Sequence, residues 1–319
     1  MPDLVDLIVN PAAGGGRALR VLPLVTAELD ALGVRYAVQR SESLADARER
    51  AAAAGAAGHV VVAVGGDGMA GALAGVAAAA GARFGIVPAG RGNDLAGTLA
   101  IPLEPAGAAR VLAGGHARAV DLIGVSLPGQ PECVVAGSVY AGIPSVAGEI
   151  ANGMGWLRGP AVYPVAALRA LAGWRPVSFR LTPGPAGDGA GPGPAGDGAG
   201  PGAREFAGYA VVIANSARFG AGMRVAPRAV VDDGLLDIVQ MRHGSRLAFL
   251  RVLLRIRGGT HVTLPLISLD RGAAVTLTMD RAVPAAADGE TLPGAGPLPA
   301  GTPLTVRALP GALTVLVPR

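Results

Sequence analysis

The segment His59-Val-Val-Val-Ala-Val-Gly-Gly-Asp-Gly68 joins an uninterrupted apolar run to a glycine-rich turn. The segment Phe84-Gly-Ile-Val-Pro-Ala-Gly-Arg-Gly-Asn-Asp94 repeats this arrangement a short distance along the chain. Short apolar runs that end at glycine are typical of strands buried inside a parallel sheet. Both turns would then lie at the carboxyl edge of that sheet, where open α/β folds bind their ligands.

Each of the two turns carries one carboxylate, Asp67 in the first and Asp94 in the second. Glycine lets backbone N–H groups approach a phosphate closely, and a helix that starts after the turn adds a favourable dipole. Carboxylate oxygens also suit a divalent cation that accompanies a nucleotide. The turns therefore predict a nucleotide phosphate site. Each aspartate alone also fits a simpler role, Asp67 as a turn residue and Asp94 as a helix N-cap.

The first 125 residues alternate between segments that favour strand and segments that favour helix. Predicted strands span 4–9, 34–39, 59–64 and 84–88, and predicted helices span 16–32, 43–57, 69–80 and 104–113. In the first helix, we expect one buried face that carries Leu24, Val25, Leu29 and Leu32. The alternation predicts an α/β nucleotide-binding domain with a parallel sheet at residues 1–125.

The remaining chain is rich in short β segments that are separated by glycine and proline turns. Predicted strands span 132–140, 177–182, 209–215, 234–242, 274–279 and 304–308, with helices near 160–172 and 245–257. This pattern predicts a β-sandwich-like second domain at residues 126–319, whose last strands can return to the first domain. Residues 184–201 are a tandem nonapeptide, which we expect to form a disordered loop.

The composition is that of a globular protein, with 51% hydrophobic and 16% charged residues. All 27 cationic side chains are arginine, which binds phosphate through two parallel hydrogen bonds. The net charge of +4 permits attraction to an anionic lipid or nucleotide. The single cysteine, Cys133, and the absence of a signal peptide before the first strand predict a cytoplasmic protein. The sequence does not show the aromatic-rich basic surface that nucleic acid-binding proteins use, so we expect no nucleic acid partner.

Five segments, taken in order, resemble the diacylglycerol kinase catalytic family, which includes bacterial lipid kinases and sphingosine kinases. They are Asn10-Pro-Ala-Ala-Gly-Gly-Gly16, the two glycine turns, Ala226-Pro-Arg-Ala-Val-Val-Asp-Asp-Gly-Leu-Leu-Asp237 and Asp288-Gly-Glu290. The resemblance implies a soluble ATP-dependent lipid kinase that phosphorylates diacylglycerol or a related lipid alcohol, as in phospholipid biosynthesis. It also implies an active site in the cleft between a nucleotide domain and a β-rich domain.

The resemblance also assigns roles to individual residues. Asp67 would hold Mg²⁺ at the β- and γ-phosphates, directly or through water, and Glu290 would be the general base. The implied nucleotide contacts are Asn10, Ser41, Gly65, Gly66, Asp67, Gly68, Met69, Gly90, Arg91, Asn93 and Asp94. A second, structural Mg²⁺ would be bound by the Asp233 carboxylate and the carbonyls of Val230 and Leu235, with Asp232 and Asp237 contributing through water.

Some positions depart from the family pattern. Met69 stands where Thr or Ser is usual, Gly71 and Ala72 replace a polar Asn-Glu, and Arg91 replaces Thr. A second hypothesis is therefore a catalytically weak lipid-binding or regulatory protein. A third is a soluble-substrate kinase of the NAD kinase kind, because NAD kinases share the first glycine turn. The downstream Asp233 and Glu290 segments favour the lipid kinase.

The segment Arg246-Leu-Ala-Phe-Leu-Arg-Val-Leu-Leu-Arg-Ile-Arg257 predicts a helix with apolar and arginine positions. It fits a helix that packs on the sandwich with arginines at its solvent edge. It also fits an interfacial helix that meets an anionic membrane and helps to extract lipid. The expected partners are thus a lipid substrate at the membrane surface and an anionic membrane to which the protein binds peripherally. The oligomeric state is left open.

Overall fold

The computed structural model describes residues 4–11, 15–154, 162–184, 202–220, 222–292 and 296–319. The chain divides into two units. The first comprises Met1–Leu122, Val134–Ala136 and Pro310–Arg319, and the second comprises Ile123–Cys133 and Gly137–Leu309. The tandem repeat that the sequence predicts to be a disordered loop lies, apart from Gly184, outside the described residues.

The first unit alternates strand and helix along its amino-terminal part. In chain order its elements are β1 (Val5–Val9), α1 (Arg17–Ala31), β2 (Tyr36–Arg40), α2 (Leu44–Ala56), β3 (Val60–Gly65), α3 (Asp67–Ala79), β4 (Arg83–Pro88), α4 (Asp94–Thr98) and α5 (Pro105–Gly114). Every strand and helix predicted for this part forms within a few residues of its expected bounds. The short helix α4 is an addition to the prediction.

The rest of the chain is dominated by strands. Its elements are β5 (His116–Ser126), β6 (Cys133–Val135), β7 (Ser138–Gly142), α6 (Ile143–Gly153), α7 (Val162–Gly173), β8 (Val177–Pro183), β9 (Arg204–Ala214), β10 (Leu236–Arg242), α8 (Arg246–Ile256), β11 (Ile267–Gly272), β12 (Ala274–Met279), β13 (Ala285–Ala287), β14 (Glu290–Thr291) and β15 (Leu304–Val317). Strands β5 and β15 each contribute residues to both units.

The sheet of the first unit is parallel and has the strand order β2-β1-β3-β4, followed by the last part of β15 beside β4. Val9 at the end of β1 lies beside Arg40 of β2 and Val64 of β3. Gly65 of β3 lies beside Pro88 of β4, so these four strands end at one edge. Every residue of β1 and β3 is buried, because helices cover both faces of a parallel sheet.

The buried face of α1 differs from the predicted one. Val25 and Leu29 are buried as expected, together with Val21 and Leu22. Leu24 is 58% exposed and Leu32 is 46% exposed, so both predictions are wrong. Leu24 precedes Val25 by one residue, a rotation of about 100° on a helix, and Leu32 follows the last helical residue.

The sheet of the second unit is antiparallel and is organised around β9. The first half of β9 pairs with β8 and the second half with β7, while β10 pairs along its other edge. Strand β12 pairs with β8 along one edge and with the first part of β15 along the other, and β11 pairs with β10. Helices α6, α7 and α8 share an apolar core with these strands, in which Phe249 and Val252 are fully buried.

The strand predicted at 209–215 begins earlier, at Arg204, and two further strand predictions for residues 126–319 need correction. The predicted strand 132–140 is interrupted at Ala136–Gly137 and forms β6 and β7, and the strand predicted at 304–308 continues to Val317. The sequence pattern also missed α6. Its start requires Gly142, where φ is 102° and an added Cβ would lie 2.4 Å from the Tyr209 carbonyl oxygen. Among the described residues, none of the helices is long and apolar enough to cross a bilayer.

His261 is a fully buried titratable residue of the second unit. Its Nε2 lies 3.1 Å from the Val225 carbonyl oxygen and donates to it in the neutral tautomer. Its Nδ1 has no hydrogen-bond partner within the described residues. Burial lowers the pKa of His261, because a second proton on the ring would carry its charge into an apolar core.

We expect this histidine to make stability fall in mild acid. The unfolded chain takes up a proton near the ordinary pKa of 6.5, whereas the folded chain does not, so stability is complete above that pH and declines below it. The slope from this single group is at most about 1.4 kcal/mol per pH unit. His261→Gln keeps an N–H donor and should remove this part of the slope in urea unfolding titrations.

His116 provides the matched control because it is exposed. His116→Gln should retain the wild-type dependence of unfolding free energy on pH. A His261→Gln protein whose stability still falls with the wild-type slope below neutral pH would contradict the prediction.

Candidate functional site

The carboxyl edge of the first sheet gathers the nucleotide contacts that the resemblance implies. Asn10 follows β1, Ser41 follows β2, and the two glycine turns follow β3 and β4. The hydroxyl and the backbone N–H of Ser41 both donate to the Val9 carbonyl, at 3.1 and 2.9 Å. Ser41 therefore ties the ends of two strands together at this edge.

The two glycine turns touch each other through their backbones. A Cβ added to Gly90 would lie 2.4 Å from the Gly66 Cα, and one added to Gly66 would lie 3.0 Å from the Gly90 Cα. The N–H of Ala89 also donates to the Gly65 carbonyl at 2.7 Å. Side chains at Gly66 or Gly90 would push the turns apart, so glycine at both positions follows from their contact.

Asp67 joins the first turn to the second. Its carboxylate accepts the backbone N–H groups of Asn93 at 2.7 Å, Asp94 at 2.5 Å and Leu95 at 3.4 Å. These N–H groups belong to the start of α4, so Asp67 acts as the cap of that helix. Asp94 is the first residue of α4 rather than its N-cap, which corrects the simpler role predicted for it.

Asn93 sets the shape of the second turn. Its φ of 55° lies in the left-handed region, which asparagine tolerates better than most residues. Its Oδ1 accepts the Gly90 N–H at 2.8 Å, and its Nδ2 donates to the Gly90 carbonyl at 3.2 Å. The turn is thereby closed on itself, and its two ends are fixed relative to Asp67.

The electrostatics of this edge favour an anion. The first described hydrogen bond of α3 runs from the Ala70 N–H to the Gly66 carbonyl. The N–H groups of Gly68 and Met69 precede this bond, in the first turn of the helix, where backbone N–H groups have no acceptor within the helix. Arg91 of the second turn is exposed, while the Met69 side chain is buried and only its backbone is at the first turn. Burial raises the pKa of Asp67, and the backbone N–H groups that its carboxylate accepts oppose that shift.

The Asp288-Gly289 pair forms the turn of a hairpin in the second unit. Ala287 of β13 pairs with Glu290 of β14, and the two turn residues have φ values of 46° and 90°. Two successive positive φ values are typical of type I′ turns, for which Asp-Gly is a favoured sequence. The predicted base, Glu290, is therefore exposed on a two-residue strand directly after a tight turn.

The Asp288 carboxylate anchors this hairpin to the start of β7. It accepts the Gly137 N–H at 3.0 Å and the Ser138 N–H at 2.8 Å. The Gly289 N–H donates to the Tyr140 hydroxyl at 3.2 Å, and burial raises the pKa of that tyrosine. These contacts also explain the interruption between β6 and β7, since the N–H groups at the break bind a carboxylate.

Two buried polar residues beside this anchor were missed by the sequence analysis. The backbone N–H groups of Asn215 and Ser216 both donate to the Gly137 carbonyl, at 2.9 and 3.2 Å. The Ser216 hydroxyl donates to the Arg218 carbonyl at 3.0 Å. The available signal was that two polar residues directly follow the apolar strand β9. Asp67 belongs to the first unit, and this polar cluster and Glu290 belong to the second.

The segment with the predicted structural Mg²⁺ ligands follows a different arrangement. Asp233 accepts the Leu235 N–H through Oδ1 at 3.0 Å and contacts Nη2 of Arg271 through Oδ2. Val230 is 44% exposed. Burial raises the pKa of Asp237, an effect that Arg271 opposes.

Comparison with known proteins finds families and relatives that this chain resembles. The diacylglycerol kinase catalytic domain matches residues 5–125, and the YegS C-terminal NAD kinase beta sandwich-like domain matches residues 137–317. Diacylglycerol kinases of two Mycobacterium tuberculosis strains, CDC 1551 / Oshkosh and ATCC 25618 / H37Rv, are each 31% identical to this chain over 317 residues. The match covers 99% of this chain and 95% of each relative.

Solved structures from Bacillus anthracis str. Sterne share the fold. One described as a candidate diacylglycerol kinase has a TM-score of 0.72 at 20% identity, and one described as a diacylglycerol kinase has a TM-score of 0.67 at 18% identity. Both cover 99% of this chain and 97% of their own. The predicted fold class, an α/β domain followed by a β-rich sandwich-like domain, is confirmed. The chain belongs to the diacylglycerol kinase family.

Proposed function

We propose that this protein transfers the γ-phosphoryl group of ATP to the hydroxyl of diacylglycerol or a related lipid alcohol. The observation that carries the proposal is the junction of the two glycine turns, held by the Asp67 carboxylate at the carboxyl edge of a parallel sheet. This junction fixes backbone N–H groups before any ligand arrives, and such preorganisation favours the binding of phosphate.

The phosphate groups would be received at the start of α3. The N–H groups of Gly68 and Met69 supply neutral donors, and the guanidinium of Arg91 supplies a positive charge in place of a hydroxyl. Asp67 is suited to hold Mg²⁺ through water, because its carboxylate oxygens already accept the N–H groups of α4. When bound, Mg²⁺ would neutralise charge on the β- and γ-phosphates.

Glu290 would accept the proton of the lipid hydroxyl as that oxygen bonds to the γ-phosphorus. Its exposed position leaves the carboxylate accessible, and the Asp288 anchor restricts the backbone that carries it. Phosphoryl transfer through a loose transition state needs this proton removed only late. The base would then contribute to the rate without having to ionise the hydroxyl beforehand.

Helix α8 is suited to bring the protein to its lipid substrate. Leu247, Leu250 and Leu254 are 59%, 36% and 75% exposed and recur at i, i+3 and i+7 on its outer face. The opposite face, which carries Phe249, Val252 and Ile256, is buried. The exposed arginines of α8 are Arg246, Arg251 and Arg255, and the helix has no acidic residue.

An exposed leucine stripe flanked by arginines complements an anionic bilayer surface. The leucines can enter the boundary between headgroups and acyl chains while the guanidinium groups contact lipid phosphates. We therefore propose that α8 docks the protein peripherally on anionic membranes, where a lipid alcohol is available for phosphorylation.

We expect Asp67→Asn to lower the rate of phosphoryl transfer by about 10²-fold or more, because a preorganised charge near the phosphates is lost. The fold should survive, with a loss of about 1 kcal/mol as one accepting oxygen becomes a donor. The measurement is transfer from radiolabelled ATP to a panel of lipid alcohols, with NAD as the soluble control substrate.

The control for Asp67 is Asp46→Asn, which removes a carboxylate that accepts the Glu42 N–H at 2.8 Å before α2. It should leave transfer unchanged. Near-wild-type transfer by a folded Asp67→Asn protein would exclude the proposed role. Phosphorylation of NAD but of no lipid would exclude a lipid kinase, and no transfer to any acceptor would favour the regulatory protein.

We expect Glu290→Gln to lower kcat by about 10²–10⁴-fold, the usual contribution of a general base, while ATP binding persists. The decline of the wild-type rate in acid should be absent from the residual mutant rate, because glutamine has no proton to take up. Steady-state kinetics across pH and equilibrium ATP binding provide the two measurements.

Glu205→Gln is the matched control, since Glu205 is an exposed carboxylate on β9. It should leave both kcat and the pH profile unchanged. If Glu290→Gln instead weakens ATP binding at constant kcat, Glu290 contacts nucleotide or metal and another residue is the base.

We expect Leu247→Gln with Leu254→Gln to lower partitioning onto anionic vesicles by about tenfold or more. The substitutions remove two leucine side chains whose transfer from water into the bilayer would stabilise binding. Arg251→Gln with Arg255→Gln should weaken binding and reduce its salt dependence. Vesicle sedimentation without ATP measures both effects. Leu24→Gln with Leu103→Gln, which changes leucines that are 58% and 52% exposed elsewhere, should bind normally. Equal loss in this control would argue against a specific role for α8.

A further inference from the structure

The Asp233–Asp237 segment of the second unit already contacts a positive charge. The Arg271 guanidinium contacts Asp233 Oδ2 through Nη2 and lies 3.3 Å from Asp237 Oδ2 through Nε. Resemblance to the kinase family implies a structural Mg²⁺ at this segment instead. The arginine occupies the position of a cation shared by two carboxylates.

Strand register brings the arginine to this position. Strands β10 and β11 are antiparallel neighbours, and Asp237 and Arg271 lie directly opposite each other. Opposite charges on directly paired residues stabilise an antiparallel sheet. The side chains are only partly accessible, with relative exposures of 29% for Arg271, 26% for Asp233 and 11% for Asp237, so water screens the attraction incompletely.

The donor set at this segment does not fit a magnesium ion. The two Asp233 oxygens have partners, because Oδ1 accepts the Leu235 N–H and Oδ2 accepts from Arg271. Arg228 also acts electrostatically on Asp237, so positive charge faces the carboxylates from two places. Magnesium prefers an octahedron of oxygen ligands and would have to displace the guanidinium. Among the described residues, no group of three or more His, Cys, Asp or Glu side chains could hold a metal ion.

We propose that Arg271 is the built-in cation of the Asp233–Asp237 segment and replaces the structural Mg²⁺ that the resemblance implies. The second unit then folds without a divalent ion, and the protein requires Mg²⁺ only together with nucleotide. The inference does not depend on the proposed kinase activity, because it concerns a charge pair within one antiparallel sheet.

The experiment measures melting temperature in the absence of nucleotide and lipid. Each protein is melted in EDTA, in Mg²⁺ and in Na⁺ at the ionic strength of the Mg²⁺ sample. The wild-type protein should melt at the same temperature in Mg²⁺ and in matched Na⁺. Arg271→Gln should melt lower in EDTA, and Mg²⁺ should raise its melting temperature by about 2–4 °C or more above the Na⁺ sample.

Three variants make this result specific. Arg271→Lys keeps a positive charge and should stay insensitive to Mg²⁺. Asp233→Asn combined with Arg271→Gln should lose the Mg²⁺ response of the single variant. Arg204→Gln removes another arginine of this unit, whose Nη1 lies 2.6 Å from Asp270 Oδ1, and should melt lower without responding to Mg²⁺.

Two results would overturn the inference. One is a nucleotide-free wild-type protein that Mg²⁺ stabilises beyond Na⁺ and that loses this response in Asp233→Asn. The other is an Arg271→Gln protein that gains no Mg²⁺ response. If Arg271→Gln does not fold, the wild-type, Asp233→Asn and Arg271→Lys measurements decide, because a wild-type Mg²⁺ response that Asp233→Asn abolishes contradicts the inference.

Discussion

The contact between the two glycine turns is the constraint on which the site of the first unit depends. Gly66 and Gly90 can approach this closely only without side chains, and the Asp67 carboxylate then reaches the first N–H groups of α4. One carboxylate thus takes up donors that the short helix cannot satisfy internally, while the N–H groups at the start of α3 keep their positions. Both helix starts are fixed by the same contact, so a change at either glycine would disturb the proposed phosphate donors and the acidic residue together.

The second unit uses a carboxylate in a related way. Asp288 accepts the N–H groups at the break between β6 and β7, and the left-handed turn that it forms with Gly289 directs the chain into Glu290. In each unit, an aspartate beside glycine therefore binds backbone N–H groups of a distant segment. Replacing an aspartate in such a position removes acceptors for backbone N–H groups, so it affects the stability of the fold as well as any chemistry of the carboxylate.

Sequence patterns predicted the first unit well because its strands and helices are local and strongly periodic. β1 to β4 follow from apolar runs that end at glycine, and the two turns identify the edge where Asn10 and Ser41 also lie. Other features depend on contacts between distant residues. The break at Gly137 requires Asp288, the cap of α4 requires Asp67, and the partner of Asp237 is determined by the β10–β11 register. Neither spacing nor composition encodes those pairings, and the family resemblance pointed to Asp233 as a metal ligand and not to Arg271.

Strand β15 has a consequence for synthesis of the chain. Its last residues belong to the first unit, where Thr314 and Val315 pair with Arg83 and Phe84 of β4, and Asp121 accepts the Gly311 N–H at 2.7 Å. On the ribosome, β4 therefore has one unpaired edge until residues 310–317 emerge, after the whole second unit has been made. The amino-terminal unit is the first to be synthesised but cannot be the first to be completed. An unpaired strand edge can pair with another chain, so this interval is when the protein is most exposed to aggregation.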